Sequence, residues 1–301
     1  MSKAKIATDW LMICSGCEIS LLDIHEAILG VLEKAEFVRS PVLADVKEFV
    51  DADVGIITGG IRNEHNIHVA KEMRKHCKTI IALGSCACFG GIPGLGNLYS
   101  REDIFKQIYI DCMGVDNPLG REPRDDLPEL TERVAPLSSV ISVDVVIPGC
   151  PPVPELIANA VMSLLEGKSL DLPKTAVCDP CPLIKKHVKI KEFKRWYQAA
   201  NDRVDTDQCF LERGYLCLGP ATWGACDARC TKAGVPCRGC HGPLNGNRNP
   251  GVDIASFIGT LSTNIQKEKV MEALGNDPLA YFYQHQLATA AFGIFKKEVK
   301  K

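Results

Sequence analysis

The sequence contains no apolar run of the roughly 18–20 residues that a bilayer-spanning helix needs. Neither sign of charge prevails, since 35 Lys and Arg face 37 Asp and Glu for a formal net charge of −2. That balance lacks the basic excess on which nucleic-acid binding rests. The opening stretch, "MSKAKIATDWLMI", has two lysines but no long apolar segment, no small-residue cleavage site and no twin arginine. No export signal is expected, and the protein is read as cytosolic, that is, cytoplasmic. Catalytic signatures are missing as well. There is no G-x-S-x-G elbow and no Cys/His nucleophile pair. The Walker pattern is absent, and the glycine run "GGIPGLG" at 90–96 opens no clear helix. Serine-hydrolase and P-loop chemistry are set aside.

Cysteine is the opposite case. The 301 residues carry 15 of them. In a reducing cytosol a disulfide framework does not persist, and the odd number also fits one poorly. Metal ligation is the leading account, because thiolates are preferred ligands of zinc, Cu(I) and iron–sulfur clusters. For any one cysteine alone, a small buried hydrophobe is the plainer reading. A chain of this length can bury a full core, and two domains are expected.

The first half alternates strands and helices. Strands are expected at 4–13, 52–58, 79–84 and 142–148, with a weaker one near 36–43. All are short apolar or β-branched runs bounded by Gly, Pro or Asp, as buried parallel strands tend to be. Helical spacing occupies 18–34, 63–76 and 153–166. In the last, Val153, Leu156, Ile157, Ala160, Val161 and Leu164 form one apolar stripe, and Leu21, Leu22, Ile28, Leu29 and Leu32 give the first a similar face. The alternation implies an α/β domain with a mainly parallel, flavodoxin-like sheet. Residues 94–140, rich in Pro, Gly and charge, read as a long excursion suited to a surface or a partner. The alternation stops after Pro173. Residues 174–250 hold eight of the cysteines and little periodicity, so a poor apolar core organised by metal is expected there. A terminal helix is expected within 253–297. The resulting division is a domain at 1–173 and a small, irregular cluster-binding domain at 174–301.

Cysteines follow the expected strands. The first strand leads into Cys14-Ser-Gly-Cys17, the strand at 79–84 into "GSCACFGG" with Cys86 and Cys88, and the strand at 142–148 into "GCPPVPE" with Cys150. The carboxyl ends of parallel strands share one edge, where ligands bind near the topological switch point. Cys14, Cys17, Cys86 and Cys150 are therefore expected to converge on a cluster or a structural zinc. Cys86 is preferred to Cys88 because it stands nearer the strand end. Gly16, Gly84, Gly90, Gly91 and Gly149 allow close backbone approach and can offer amides to sulfur. Pro151 and Pro152 fix the chain direction after Cys150.

The second half supplies Cys178, Cys181, Cys209 and Cys217, then the compact group Cys226, Cys230, Cys237 and Cys240. Eight thiols suffice for two all-thiolate clusters, and C-x2-C pairs serve zinc ribbons equally. The ferredoxin run C-x2-C-x2-C-x3-C-P is not present. Cys77, Cys88 and Cys112 are left as structural thiols. His65 and His68 read as a solvated helix face, with His187 and His241 as weak extra ligand candidates.

Together, "CSGCEISLL", "GSCACFGG", "IPGCPPVPE" and "CLGPATWGAC…CRGC" resemble the small, electron-transferring subunit of nickel–iron hydrogenases. The resemblance covers most of the chain, in the family's order. It implies a flavodoxin-like domain followed by a cluster-binding domain and three 4Fe–4S clusters. Position by position, it places Cys14, Cys17, Cys86 and Cys150 at the proximal cluster. Cys226, Cys237 and Cys240 fall at the medial cluster, where Cys230 offers a fourth thiolate in place of a 3Fe–4S site. Cys181, Cys209 and Cys217 fall at the distal cluster, with Cys178 where many relatives carry histidine. These two departures lean toward the cytosolic archaeal branch, nearest the methyl-viologen-reducing hydrogenases of methanogenesis. The deazaflavin-reducing and sulfhydrogenase forms are close rivals. The resemblance implies two partners, a nickel–iron large catalytic subunit and an iron–sulfur acceptor subunit feeding heterodisulfide reductase. Glu18 stands one position earlier than the glutamate of many relatives, and no role is transferred to it. The nickel motifs R-x-C-x-x-C and D-P-C-x-x-C are missing, because Asp179-Pro180-Cys181 is followed by Ile184. No catalytic residue is expected in this chain. Two other readings remain, a respiratory complex I module and a zinc-stabilised assembly protein.

Overall fold

A computed structural model describes residues 3–170, 172–202, 207–244, 249–261 and 267–291. The first half contains the strands β1 (Ala4–Trp10), β2 (Ala35–Arg39), β3 (Ala52–Thr58), β4 (Ile61–Asn63), β5 (Cys77–Leu83), β6 (Leu130–Ala135) and β7 (Val145–Ile147). Five of them form one parallel sheet in the order β2-β1-β3-β5-β7. Counting only those five gives 2-1-3-4-5, the flavodoxin-like order, with its switch point between β1 and β3. β4 and β6 pair separately as an antiparallel ribbon.

Strand composition accounts for the layering. β3 ("ADVGIIT") is buried at all but one residue, and β5 buries Ile80, Ile81, Ala82 and Leu83. Such near-continuous apolar runs suit strands covered on both faces. Fully burying an Ile or Leu contributes about 1.5–3 kcal/mol each, so this pair of strands anchors the domain. Gly55 is required where β3 meets β5, because a Cβ there would stand 2.7 Å from Cys77 Sγ and 2.8 Å from Ile80 Cδ1.

The helices of this half are α1 (Gly16–Leu22), α2 (Ala27–Lys34), α3 (Glu64–His76), α4 (Ser85–Phe89), α5 (Arg101–Tyr109) and α6 (Pro154–Leu165). α3 begins at a reciprocal cap, where the Asn63 side chain accepts from the Asn66 backbone amide. α6 starts with a proline whose missing N–H costs nothing at that position. The helix expected over 18–34 is two helices, broken where His25 adopts φ 51°. The break rotates the expected apolar face. Val31 is buried, whereas Leu22, Leu29 and Leu32 are exposed. The 94–140 excursion folds back on the domain, its Asn97 side chain pairing with both the amide and the carbonyl of Val134.

The second half differs from expectation. Val177, Phe210, Tyr215, Leu216 and Leu218 pack with Ile254, Ile258, Leu274 and Tyr281 into a core of their own. The cysteine-rich stretch borrows its apolar partners from α8 (Pro250–Leu261), α9 (Lys267–Ala273) and α10 (Pro278–Phe282), which follow the one-turn α7 (Arg229–Lys232). These three short helices replace the expected single terminal helix. Gly275 and Asn276, both at positive φ, end α9, and Pro278 opens α10. Positions 262–266 and 292–297 of that expectation lie outside the described residues. No described helix is long and apolar enough to cross a membrane.

Candidate functional site

The register brings the sheet's carboxyl ends level. Trp10 pairs with Thr58, Thr58 with Leu83, and Leu83 with Ile147. Beyond that line, the Leu11 amide donates to the Thr58 carbonyl at 2.9 Å, and Met12 and Gly60 exchange amide bonds of 3.1 Å. This short extension delivers Cys14 and then Cys17, at the start of α1. On the other side of the edge, the Gly84 amide donates to Ile147 O at 2.8 Å and the Ser85 amide to Gly149 O at 2.7 Å. Those bonds tie the turn carrying Cys86 to the turn carrying Cys150, which enters a cis peptide to Pro151.

The four thiols feel one another. Burial pushes the Cys17 thiol far up, followed by the charges of Glu18, Cys86, Cys150 and Cys14. Cys86 is pushed up to about 12 by burial, then by Cys150 and Cys14. Neutral thiols are thus favoured until a cation offsets their mutual repulsion, since coordination deprotonates a thiol outright. The surrounding backbone lies close against two of these sulfurs at glycines. A Cβ on Gly84 (φ 88°) would overlap Cys17 Sγ, and one on Gly91 (φ 57°) would overlap Cys86 Sγ. Cys14 and Cys150 are exposed. Cys88 is buried, with its Sγ donating to Ala82 O at 3.3 Å, and its thiol is raised by burial and then by Cys17.

The compact group in the second half also gathers. Burial and then Cys237 raise the Cys240 thiol, with Cys226 and Cys230 adding to the shift. Cys178, pushed up to about 12, is raised by burial and then by Cys209, Cys181 and Cys237, against the opposing charge of Lys185. Gly219 separates Cys178 from Cys217, its hypothetical Cβ standing 3.3 Å and 3.5 Å from their sulfurs. The three sets adjoin through hydrogen bonds. The Ser85 hydroxyl accepts from the Gly149 amide, next to Cys150, and donates to the Cys240 carbonyl. The Cys237 amide donates to Cys217 Sγ at 3.2 Å. Among the described residues no three His, Cys, Asp or Glu side chains stand close enough to share a single metal ion. The thiol donor sets and their glycine-lined surroundings fit polynuclear iron–sulfur groups, whose ligands are spread over several irons.

A family model described as "NADH ubiquinone oxidoreductase, 20 Kd subunit" matches residues 14–164. A subunit of the F420-non-reducing hydrogenase of Methanococcus voltae is 44% identical over 275 residues, covering 91% of this chain and 94% of that relative. A subunit of the F420-non-reducing hydrogenase of Methanothermobacter thermautotrophicus is 40% identical, with 96% of each chain covered. The chain belongs to the nickel–iron hydrogenase small-subunit family. As such it is a non-catalytic hydrogenase subunit, of the oxidoreductase class. A solved NAD+-reducing [NiFe]-hydrogenase contains a chain that superposes on this small subunit with a TM-score of 0.55 at 35% identity. The superposition covers 57% of this chain and 96% of that one.

Several residues of the small subunit's site escaped the sequence reading. Thr58 donates its hydroxyl to Glu18 Oε1, while Glu18 Oε2 is buried without a partner. Ser85 joins two loops through its side chain, and only its place between Gly84 and Cys86 hinted at a role. His65 and His68 are exposed, as a solvated helix face requires. His241 is buried beside Cys240, with its Nδ1 unpartnered and its pKa pushed down to about 4 by burial. Cys77 packs in the sheet core, and Cys112 is exposed.

Proposed function

We propose that this small subunit is an electron wire, carrying electrons from a hydrogen-splitting large subunit to an acceptor subunit. The observation that carries the reading is the run of three adjoining thiol sets, linked by the Ser85 hydroxyl between the Gly149 amide and the Cys240 carbonyl and by the Cys237 amide on the Cys217 sulfur. Cys14, Cys17, Cys86 and Cys150 would hold the proximal 4Fe–4S cluster. Cys226, Cys230, Cys237 and Cys240 would hold the medial one, and Cys178, Cys181, Cys209 and Cys217 the distal one. When bound, such clusters take up and release single electrons at potentials set by ligands, hydrogen bonds to sulfur and exposure. The chain's own part is to space the thiols, bury them unequally and aim amides at their sulfurs.

The partners follow from the two ends of the run. The exposed Cys14 and Cys150 share the sheet edge with exposed Trp10, Ile19 and Ile92, an apolar rim suited to the large subunit. At the other end, Cys178, Cys181 and Cys209 face the acceptor, an iron–sulfur subunit on the route to heterodisulfide reductase, in the cytoplasm of a methanogen. The likeness to the F420-non-reducing relatives favours this over the deazaflavin-reducing or sulfhydrogenase branch. Functionally the chain divides into 1–173, with the proximal site, and 174–301, with the other two. A complex I module would account for the sheet edge alone and leaves Cys178 to Cys240 without a purpose.

The test is metal analysis of the anaerobically isolated protein, alone and in its native complex. About twelve iron and twelve sulfide per chain, with nickel only in the complex, is the expected result for three cubanes. About eleven iron would reassign the medial site as 3Fe–4S, and zinc in place of iron would sink the proposal.

A further inference from the structure

Ser85 lies where the first and second thiol sets meet. It is 1% exposed and occupies the first position of α4, next to Cys86. Its backbone amide donates to Gly149 O at 2.7 Å, and its hydroxyl accepts from the Gly149 amide at 3.3 Å. The same hydroxyl donates its proton to the carbonyl of Cys240, 155 residues away in sequence. One buried hydroxyl therefore joins the turn that carries Cys150 to the peptide that carries Cys240.

We propose that Ser85 is a positioning residue, whose hydroxyl holds the Cys240 peptide against the Gly149–Cys150 turn and so fixes a medial ligand relative to a proximal one. This rests on the electron-transfer reading above. The physical consequence is specific. The orientation and exposure of a ligand sulfur help to set the potential of the group it holds. Removing the hydroxyl leaves the Gly149 amide and the Cys240 carbonyl short of a partner in a buried place. The Cys240 peptide is then no longer tied to the turn that carries Cys150.

The test is an anaerobic redox titration of the native complex followed by electron paramagnetic resonance, with iron counted in each sample. The medial signal is the one lost in Cys226→Ser. Ser85→Ala is expected to shift the medial midpoint while the distal signal keeps its own. Ser85→Thr, which retains the hydroxyl, is expected to restore the wild-type value. A wild-type complex without iron would overturn the electron-transfer reading itself. A fully loaded Ser85→Ala complex with all potentials unmoved would overturn only the role of Ser85. Loss of clusters in both variants would also overturn it, because the position would then demand serine's volume and not its hydroxyl. Loss in Ser85→Ala alone, repaired in Ser85→Thr, would support it.

Discussion

The two cysteine-bearing regions of this molecule solve the same problem by different means. At the sheet edge, Cys14, Cys17, Cys86 and Cys150 are delivered by three parallel strands whose ends are held level by register, on top of an apolar core. In the second region seven of the eight thiols sit on turns and irregular chain and Cys230 lies in α7, several of them packed within the apolar cluster itself. Regular backbone there is confined to short helices. The first site is positioned by its scaffold. In the second, apolar packing against α8–α10 and whatever the thiols bind must together order irregular chain.

Removing iron and sulfide by anaerobic chelation breaks the comparison most directly. The expected outcome is loss of amide hydrogen-exchange protection across 174–244, while β1, β3 and β5 keep theirs. Equal loss in both regions would show that the sheet also depends on its cluster.

The next effect belongs to the sheet. Asp9 and Arg39 form a largely buried pair at 2.6 Å that joins β1 to β2. Asp9→Ala is expected to cost about 4 kcal/mol in the metal-free sheet, by leaving the guanidinium without its carboxylate. A chemical denaturation midpoint checks it, and an unchanged midpoint would mean that Arg39 is satisfied by the Lys47 and Glu48 carbonyls alone.

A smaller effect belongs to the second region. His285, in the segment after α10, is pushed down to about 4 by burial, then by Arg238 and His241. The unfolded chain binds a proton near pH 6.5 that the folded chain refuses until about pH 4. Stability is therefore full above the unfolded value and falls as the pH drops through that window, by at most about 3 kcal/mol. His285→Gln should flatten the difference between denaturation curves at pH 7 and pH 5. The same slope in both proteins would place the sensitivity elsewhere.

Legibility in the sequence followed the same division. The run at 52–58 is β3, and the helix at 63–76 is α3 to within a residue, because buried strands and capped helices carry local signals. The break at His25 carried none, since nothing in "DIHEA" marks a left-handed residue, and the expected face of Leu22, Leu29 and Leu32 turned outward with it. Residues 174–250 looked too poor in apolar periodicity to pack. Phe210, Tyr215 and Leu216 find their partners in Ile254, Ile258 and Tyr281, a pairing that no window of local sequence contains. The choice of Cys86 over Cys88 rested on proximity to the strand end. In the structure the Cys86 thiol is raised after burial by Cys150 and Cys14, whereas the Cys88 thiol bonds to the Ala82 carbonyl and is raised after burial by Cys17.

What the sequence determined by itself was the alternation that makes a parallel sheet and the placing of cysteines just past three of its strands. Those properties are local, written in apolar runs and in the residues that end them. Which thiols come near one another, and which hydroxyl joins Gly149 to Cys240, was decided only by tertiary structure. Contacts between residues 155 apart arise from strand order, register and loop closure, none of which has a local signature.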